Sequence, residues 1–202
     1  MQQKLIFYYS AMKGGKTTRI FQKIHDLEEN GQNVIVIKPW TDTKGKTDII
    51  NRQGERRPAD IVLKPGEDLL EKEHMEKLWS SDHIIVDEAQ FLEPEQIERL
   101  WAINKRIGIP ISCFGLKTNF QSNLFPGSAR LFALADEVIE LDSNSLCICG
   151  EPAKFNARKV NGTFTMEGEE VAIDGEDTRI EYVPLCGACC FEKVYRKRKV
   201  EK

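Results

Sequence analysis

The stretch YYSAMKGGKTTR, residues 8–19, decides the fold of the amino-terminal part of the chain. The apolar run LIFYY leads into it, and Ile20, Ile24 and Leu27 follow it at helical spacing, with Gly31 as the expected stop. The pattern predicts a buried strand, a short loop and an amphipathic helix. A loop at such a junction can hold phosphate, because its backbone N–H groups point inward and the helix N-terminus carries partial positive charge.

The end of this loop, Gly15-Lys16-Thr17, is typical of a phosphate-binding loop, but Ser10 stands where the usual pattern begins with glycine. Serine adopts many backbone conformations without strain, so we still predict a nucleotide site. Lys16 would reach the β- and γ-phosphates, and the Thr17 hydroxyl would bind Mg²⁺. The alternative is an ordinary strand–turn–helix corner with a chance Gly-Lys-Thr. The predicted phosphate site consists of Ser10, Ala11, Met12, Lys13, Gly14, Gly15, Lys16, Thr17 and Thr18.

A second chemical element is the stretch HIIVDE, residues 83–88, which reads as a buried strand that ends in two acids. Enzymes with a phosphate loop hold Mg²⁺ through an acid at the end of a neighbouring strand. Because side chains alternate along a strand, the two acids should face opposite sides. We assign Asp87 to Mg²⁺, through water, and Glu88 to general-base catalysis on a substrate hydroxyl. The alternative is a pair of solvent-facing acids before a helix.

Strand-like and helix-like patterns alternate over the first 141 residues, which predicts an α/β fold with a mostly parallel sheet covered by helices on both faces. The polar segment 41–60 is expected to be a loop, and Ser128 is a candidate helix cap. Strands are predicted at 4–10, 33–39, 83–88, 109–116 and 137–141, with a short one near 60, and helices after residues 16, 68, 93 and 127.

Composition narrows the class of protein. The 202 residues carry 29 basic and 32 acidic side chains, and a net charge of −3 does not favour a nucleic-acid or membrane partner. No apolar run approaches the ~20 residues of a membrane span, and the amino-terminal run is too short for a signal peptide. We therefore predict a cytoplasmic protein that binds neither nucleic acid nor membrane.

The composition of the sequence changes near residue 142, where glycines, cysteines and short runs replace the long apolar segments. We predict a nucleotide-binding domain over residues 1–141, a small second domain over 142–193 and a solvated basic tail over 194–202.

Five of the six cysteines follow residue 146, and four of them form two short groups, Cys147 with Cys149 and Cys186 with Cys189. Four thiolates from two turns are typical of a structural zinc site, and a reducing compartment favours metal over disulfides. A disulfide pair is the alternative. Cys113 lies inside a predicted strand, where we expect it to be a small core residue.

The order of the motifs resembles one family. YYSAMKGGKTT, KPWTDT, VDEAQFL, GLKTNFQSNLFPGS and the split cysteine pairs occur as they do in thymidine kinases of the type found in many bacteria, some phages and the animal cytosol. The resemblance covers residues 3–190. It implies a phosphate-loop α/β kinase domain similar to the core of recombination-type ATPases, with a zinc-bound lasso domain that closes over the nucleoside.

The resemblance also implies an activity, the transfer of the γ-phosphoryl group of ATP to the 5′-hydroxyl of thymidine with Mg²⁺ present. It implies a homotetramer and feedback inhibition by dTTP. Glu88 matches the family's catalytic base, and Lys16 and Thr17 match its phosphate and magnesium ligands. The residues that match the thymidine pocket are Phe91, Leu116, Phe120 and Phe125, with Tyr182 from the lasso, and a phosphate contact is expected at Asp42 and Lys44.

Three departures from the family pattern bear on these expectations. Ser10 replaces the first loop glycine, and Lys44 stands where the family often has arginine. The segment 172–182 is longer than usual in the stretch that should hold the base, so deoxyuridine could be accepted beside thymidine. For each pocket aromatic, a role in the core alone is the alternative.

Two other functions remain open at the level of sequence. One is a phosphate-loop ATPase that acts on DNA through a zinc ribbon, against which the balanced charge speaks. The other is a non-catalytic nucleotide sensor, which would keep its function in a Glu88→Gln variant.

Overall fold

The structure, a computed structural model, describes residues 3–40, 47–142, 145–168 and 179–196. It divides into two compact units, each of which is built from separate stretches of the chain. The larger unit comprises Met1–Tyr9, Lys16–Leu116 and Phe125–Glu140, and the smaller unit comprises Ser10–Gly15, Lys117–Leu124 and Leu141–Lys202.

The larger unit contains a six-stranded sheet. Its strands are β1 (Leu5–Ser10), β2 (Val34–Pro39), β5 (Ile61–Leu63), β6 (His83–Val86), β7 (Ile111–Leu116) and β8 (Glu137–Glu140). They lie in the order β5-β2-β6-β7-β1-β8. The pairs β1–β8, β2–β5, β2–β6 and β6–β7 are all parallel, which confirms the predicted α/β class with a mostly parallel sheet.

Helices precede β2, β6, β7 and β8, as the periodicity predicted. Gly31 and Gly108 follow α1 (Lys16–Glu29) and α3 (Pro94–Ile107) with φ of 74° and 80°, the left-handed conformation that glycine adopts without strain. The Glu93 N–H donates to the Gln96 side chain at 3.1 Å, which satisfies one backbone donor at the start of α3. The helices of this unit are α1 (Lys16–Glu29), α2 (Lys72–Trp79), α3 (Pro94–Ile107) and α4 (Pro126–Leu134), with a 3₁₀ turn at Ala89–Phe91.

Two local predictions were wrong. Part of the segment 41–60 is a short antiparallel hairpin, β3 (Asp48–Ile50) with β4 (Arg56–Pro58), rather than a loop. The Asn51 side chain accepts the Gln53 and Glu55 N–H groups at 3.0 Å each and so organises the turn, but strands of three residues are too short to show an alternating pattern. Ser128 does not cap α4, which begins at Pro126.

The core of the larger unit follows from its apolar strands. Strands of a parallel sheet are buried on both faces, which is why their sequences are continuous apolar runs rather than alternating ones. The fully buried side chains include Leu5, Phe7, Ile37, Ile84, Val86, Ile111 and Leu131. Cys113 lies in this core, as predicted, and burial raises the pKa of its thiol.

The smaller unit has a three-stranded antiparallel sheet with β9 (Phe155–Val160) between β10 (Thr163–Thr165) and β11 (Ile180–Leu185). The short helix α5 (Gly187–Cys190) and a π-helical turn, Phe191–Tyr195, follow β11. The apolar core of this unit is small, and three of its seven buried members are cysteines: Cys147, Ala157, Val183, Leu185, Cys186, Cys190 and Val194. Domains with so little core usually need a metal or disulfides to stay folded.

Of the helices in the described ranges, none is both long enough and apolar enough to cross a membrane.

His83, the first residue of β6, is a buried imidazole. It is 8% exposed, and its Nε2 lies 3.0 Å from the Ser112 hydroxyl. Burial, and then the positive charge of Lys23, lower the pKa of His83 from its ordinary 6.5 to about 4. Only the unfolded chain therefore takes up a proton at this side chain between pH 6.5 and about 4.

This proton uptake predicts a pH-dependent free energy of unfolding. The destabilisation is absent above pH 6.5, grows as the pH falls and is complete near pH 4, where it is on the order of 3 kcal/mol. Urea unfolding at several pH values should show that His83→Gln has a flatter pH dependence than wild type over this window. His25→Gln, on the exposed side of α1, is the control and should keep the wild-type slope. An unchanged slope in His83→Gln would contradict the assignment.

Candidate active site

The loop between β1 and α1 has an unusual backbone. Lys13 and Gly15 both have positive φ, 64° and 82°, whereas Gly14 between them does not. The Gly14 N–H donates to the Ala11 carbonyl at 3.2 Å and closes a turn. Right- and left-handed residues in succession are the backbone pattern of anion-binding concavities.

The backbone conformation and the contacts of Ser10 explain why the first residue of the loop need not be glycine. Its φ is not positive, so the position does not require glycine. The side chain is 2% exposed, and its hydroxyl donates to the Ala11 carbonyl at 3.0 Å. A Cβ on Gly14 would lie only 2.5 Å from the Ser10 Oγ and 2.8 Å from its Cβ. Ser10 occupies this space, so glycine is required at position 14 instead.

Helix α1 begins directly after the loop, at Lys16. The Lys16 side chain is 8% exposed, Thr17 is half-buried and Thr18 is exposed. No acidic side chain lies in the first turn of α1. The partial positive charge of this helix end is therefore not offset by an acid of its own first turn.

The two acids that follow β6 differ in environment. Asp87 is 4% exposed, and its Oδ1 accepts the Glu88 N–H at 2.9 Å. Glu88 is half-buried and adopts the left-handed conformation, with φ 50° and ψ 39°. A side chain other than glycine, asparagine or aspartate is uncommon there, and such strained residues concentrate at functional sites.

Gln90 holds the Glu88 side chain in place, and the sequence analysis did not single it out. Its Nε2 donates to the Glu88 Oε2 at 2.5 Å, and its Oε1 accepts the Leu116 N–H at 3.0 Å. Gln90 is 1% exposed, so both contacts are shielded from water. The feature of the sequence that could have indicated this role for Gln90 is its position two residues after Glu88, on the same turn.

Two glycines allow this turn to pack closely. A Cβ on Gly127, in α4, would lie 2.6 Å from the carbonyl oxygens of Ala89 and Leu92. A Cβ on Gly115, in β7, would lie 2.8 Å from the Gln90 Oε1. The Ser128 hydroxyl donates to the Leu116 carbonyl at 2.6 Å and ties α4 to the end of β7. The backbone that carries Glu88 is thus confined on two sides.

The predicted pocket residues fall into two aromatic pairs. In the larger unit, the rings of Phe91 and Phe125 lie edge to face, with centroids 5.6 Å apart. In the smaller unit, Phe120 and Tyr182 are 6.4 Å apart, also edge to face. The Arg158 guanidinium lies 4.6 Å from the centre of the Phe120 ring, a contact that the sequence analysis missed. Leu116, at the end of β7, is 9% exposed.

The four predicted metal ligands of the smaller unit come together. Their sulfur atoms all lie within 4.8 Å of one another, and the Sγ atoms of Cys149 and Cys186 are 3.6 Å apart. Zinc–sulfur bonds of about 2.3 Å in a tetrahedron require sulfur separations of about 3.8 Å, whereas a disulfide requires about 2.05 Å. All four thiols are free. The cluster therefore fits a structural zinc ion.

The four thiols do not share one charge state. Burial raises the pKa of Cys147, but backbone hydrogen bonds from Cys149 and Cys186, with side-chain hydrogen bonds from Cys149 and Cys189, outweigh it and lower the pKa to about 6. Hydrogen bonds with Cys149 and Cys147 raise the pKa of Cys189 to about 12. Since metal binding requires thiolates, Cys147 is the thiol most readily converted to the ligating form. Asp42 and Lys44, the remaining predicted phosphate contacts, lie outside the described residues.

Comparison with known proteins gives a consistent result. The family model for thymidine kinase matches residues 3–190. The thymidine kinase of Enterobacteria phage T4 is 36% identical over 185 residues, 90% of this chain and 92% of the relative. That of Shewanella oneidensis is 38% identical over 187 residues, 91% of this chain and 94% of the relative. Among solved structures, a Bacteroides Pif1 bound to ssDNA has a TM-score of 0.42 at 18% identity, over 69% of this chain and 38% of that chain, which is too distant to indicate function.

The cysteine cluster predicts one zinc ion per chain. Elemental analysis of the purified protein should find this ratio, and Cys147→Ser should lose the metal and melt at a lower temperature, because the small core depends on the ion. Cys190→Ala is the matched control, since Cys190 adjoins Cys189 but lies outside the cluster, and it should keep its zinc. Metal-free protein with an intact melting transition would contradict the prediction.

Proposed function

The chain belongs to the thymidine kinase family and is an enzyme of that class; we propose that it transfers the γ-phosphoryl group of ATP, with Mg²⁺, to the 5′-hydroxyl of thymidine. The product would be dTMP, a precursor for DNA synthesis. The observation that carries this mechanism is the held carboxylate of Glu88, a strained residue whose side chain is bonded to a buried amide. A carboxylate positioned in this way is suited to accept a proton from a hydroxyl.

Phosphate binding is assigned to the loop and to the start of α1. The concave backbone around Lys13 and Gly15 would receive the phosphates, and Lys16 would contribute a positive charge to the transferred group. Thr17 would bind Mg²⁺ directly and Asp87 through water. Bound with ATP, Mg²⁺ supplies charge neutralisation on the phosphate oxygens.

Proton removal is assigned to Glu88. As the 5′-oxygen forms its bond to the γ-phosphorus, the bond from that phosphorus to the oxygen of ADP breaks, and the hydroxyl proton passes to the Glu88 carboxylate. The Gln90 amide keeps one carboxylate oxygen engaged, which restricts the side chain to one orientation. Orientation of this kind reduces the entropy that must be lost on the way to the transition state.

Base binding is assigned to the aromatic pairs. The rings of Phe91 with Phe125, and of Phe120 with Tyr182, offer faces and edges on which a pyrimidine can stack. Leu116 would add an apolar contact. The zinc ion would fix the fold of the smaller unit, which carries Tyr182 on β11. We extend the proposal to deoxyuridine as a second substrate, to dTTP as feedback inhibitor and to a homotetramer, as the family resemblance implies.

A panel of nucleosides tests the proposed substrate. With Mg-ATP, thymidine and deoxyuridine should be converted to monophosphates, whereas deoxycytidine, deoxyguanosine and uridine should not. Conversion of none, with ATP bound and the fold intact, would overturn the substrate assignment. DNA-stimulated ATP hydrolysis in the same preparation would favour the DNA-acting alternative.

A carboxylate variant tests the proposed base. Glu88→Gln should lower kcat by about 10² or more, the usual contribution of a general base, while calorimetry shows unchanged binding of Mg-ATP. Glu95→Gln, an exposed acid in the first turn of α3, is the matched control and should keep wild-type kcat. A Glu88→Gln enzyme that turns over like wild type would leave the carboxylate without a catalytic role.

A further inference from the structure

Asn156 connects the phosphate loop to the sheet of the smaller unit. Its Oδ1 accepts the Met12 N–H at 2.7 Å, and its Nδ2 donates to the Thr118 carbonyl at 3.2 Å. The side chain is 5% exposed. One buried amide thus joins two segments that lie 144 and 38 residues away along the chain.

The strand β9 presents this side chain because of its alternation. Ala157 lies in the small apolar core and Phe155 packs against that core. Side chains alternate along a strand, so Asn156 and Arg158 project from the opposite face. On that face, Asn156 bonds to the Thr118 carbonyl and Arg158 covers the Phe120 ring. Both residues of β9 therefore hold the same segment, 117–124.

The Met12 contact falls at a sensitive point of the loop. Met12 directly precedes Lys13, the residue with a left-handed backbone, and it lies one position after Ala11, whose carbonyl accepts the Gly14 N–H. The hydrogen bond from the Met12 N–H to Asn156 therefore restricts the part of the loop that directly follows β1. A free loop of this length would otherwise have to lose backbone entropy each time it closed around a phosphate.

We propose that Asn156 is a positioning residue of the phosphate site, which sets the affinity for the nucleoside triphosphate by holding the loop in its binding conformation. The inference rests on the proposed function, because it requires that the loop binds phosphate. Asn156 acts through the Met12 N–H and does not itself contact the triphosphate. A consequence is that nucleotide affinity depends on an ordered smaller unit, whose strand β9 carries the amide.

Two substitutions remove both hydrogen bonds. Asn156→Leu keeps a branched side chain of similar shape, and the Kd for Mg-ATP should rise roughly tenfold, the scale of one lost buried hydrogen bond. Asn156→Ala removes the same bonds without adding bulk or charge, so its Kd should rise by a similar factor. Asn30→Leu, at the exposed end of α1, loses a side-chain bond to the Asp26 carbonyl and is the matched control.

The measurement is calorimetric titration of each full-length, zinc-loaded variant with Mg-ATP in the absence of nucleoside, with circular dichroism and zinc content as checks on the fold. The proposal predicts wild-type affinity for Asn30→Leu and a roughly tenfold lower affinity for both Asn156→Leu and Asn156→Ala. A folded Asn156→Leu that binds Mg-ATP like wild type would overturn it. Should Asn156→Leu not fold, a folded Asn156→Ala with wild-type affinity would overturn it instead. If the wild-type protein bound no Mg-ATP, the proposed function itself would be wrong.

Discussion

The buried amide of Gln90 is the contact on which the turn after β6 depends. It satisfies the Leu116 N–H at the end of β7 and holds the Glu88 carboxylate, so one side chain ties a backbone strand to the acid that we propose as the catalytic base. The glycines at 115 and 127 are consequences of this arrangement, because any side chain there would displace the amide or the turn around it. The left-handed backbone of Glu88 is tolerated for the same reason: its surroundings leave the turn little freedom to relax.

The smaller unit has very little apolar core, so its fold needs another source of stability. Four thiols within 4.8 Å of one another can bind a metal and so replace apolar burial as the source of stability. The strand β9 then has two separate tasks on its two faces. Ala157 faces the small core, whereas Asn156 and Arg158 hold the segment 117–124, and Asn156 also holds, through Met12, the loop before α1.

Several features were predictable because they depend only on neighbours along the chain. The apolar runs of β1, β2, β6 and β7, the helices α1 and α3, and the glycine after α1 all appear where the patterns indicated. The β3–β4 hairpin was missed because its strands are three residues long and its turn is organised by one side chain, Asn51. Ser128 has the residue type of a helix cap, but it lies inside α4 and its hydroxyl donates to the Leu116 carbonyl at the end of β7.

By itself, the sequence determined the α/β class, the loop before α1, the acids after β6, the two cysteine groups and the family, since each is a local pattern or an ordered set of local patterns. Only the tertiary structure decided why serine suffices at position 10, where φ is not positive, and why glycine is needed at position 14, where a Cβ would collide with the Ser10 side chain. Only the tertiary structure, too, identified Gln90 and Asn156. Both residues act through hydrogen bonds to groups far away along the chain. A local sequence pattern does not indicate which distant groups the fold brings within 3 Å of one another.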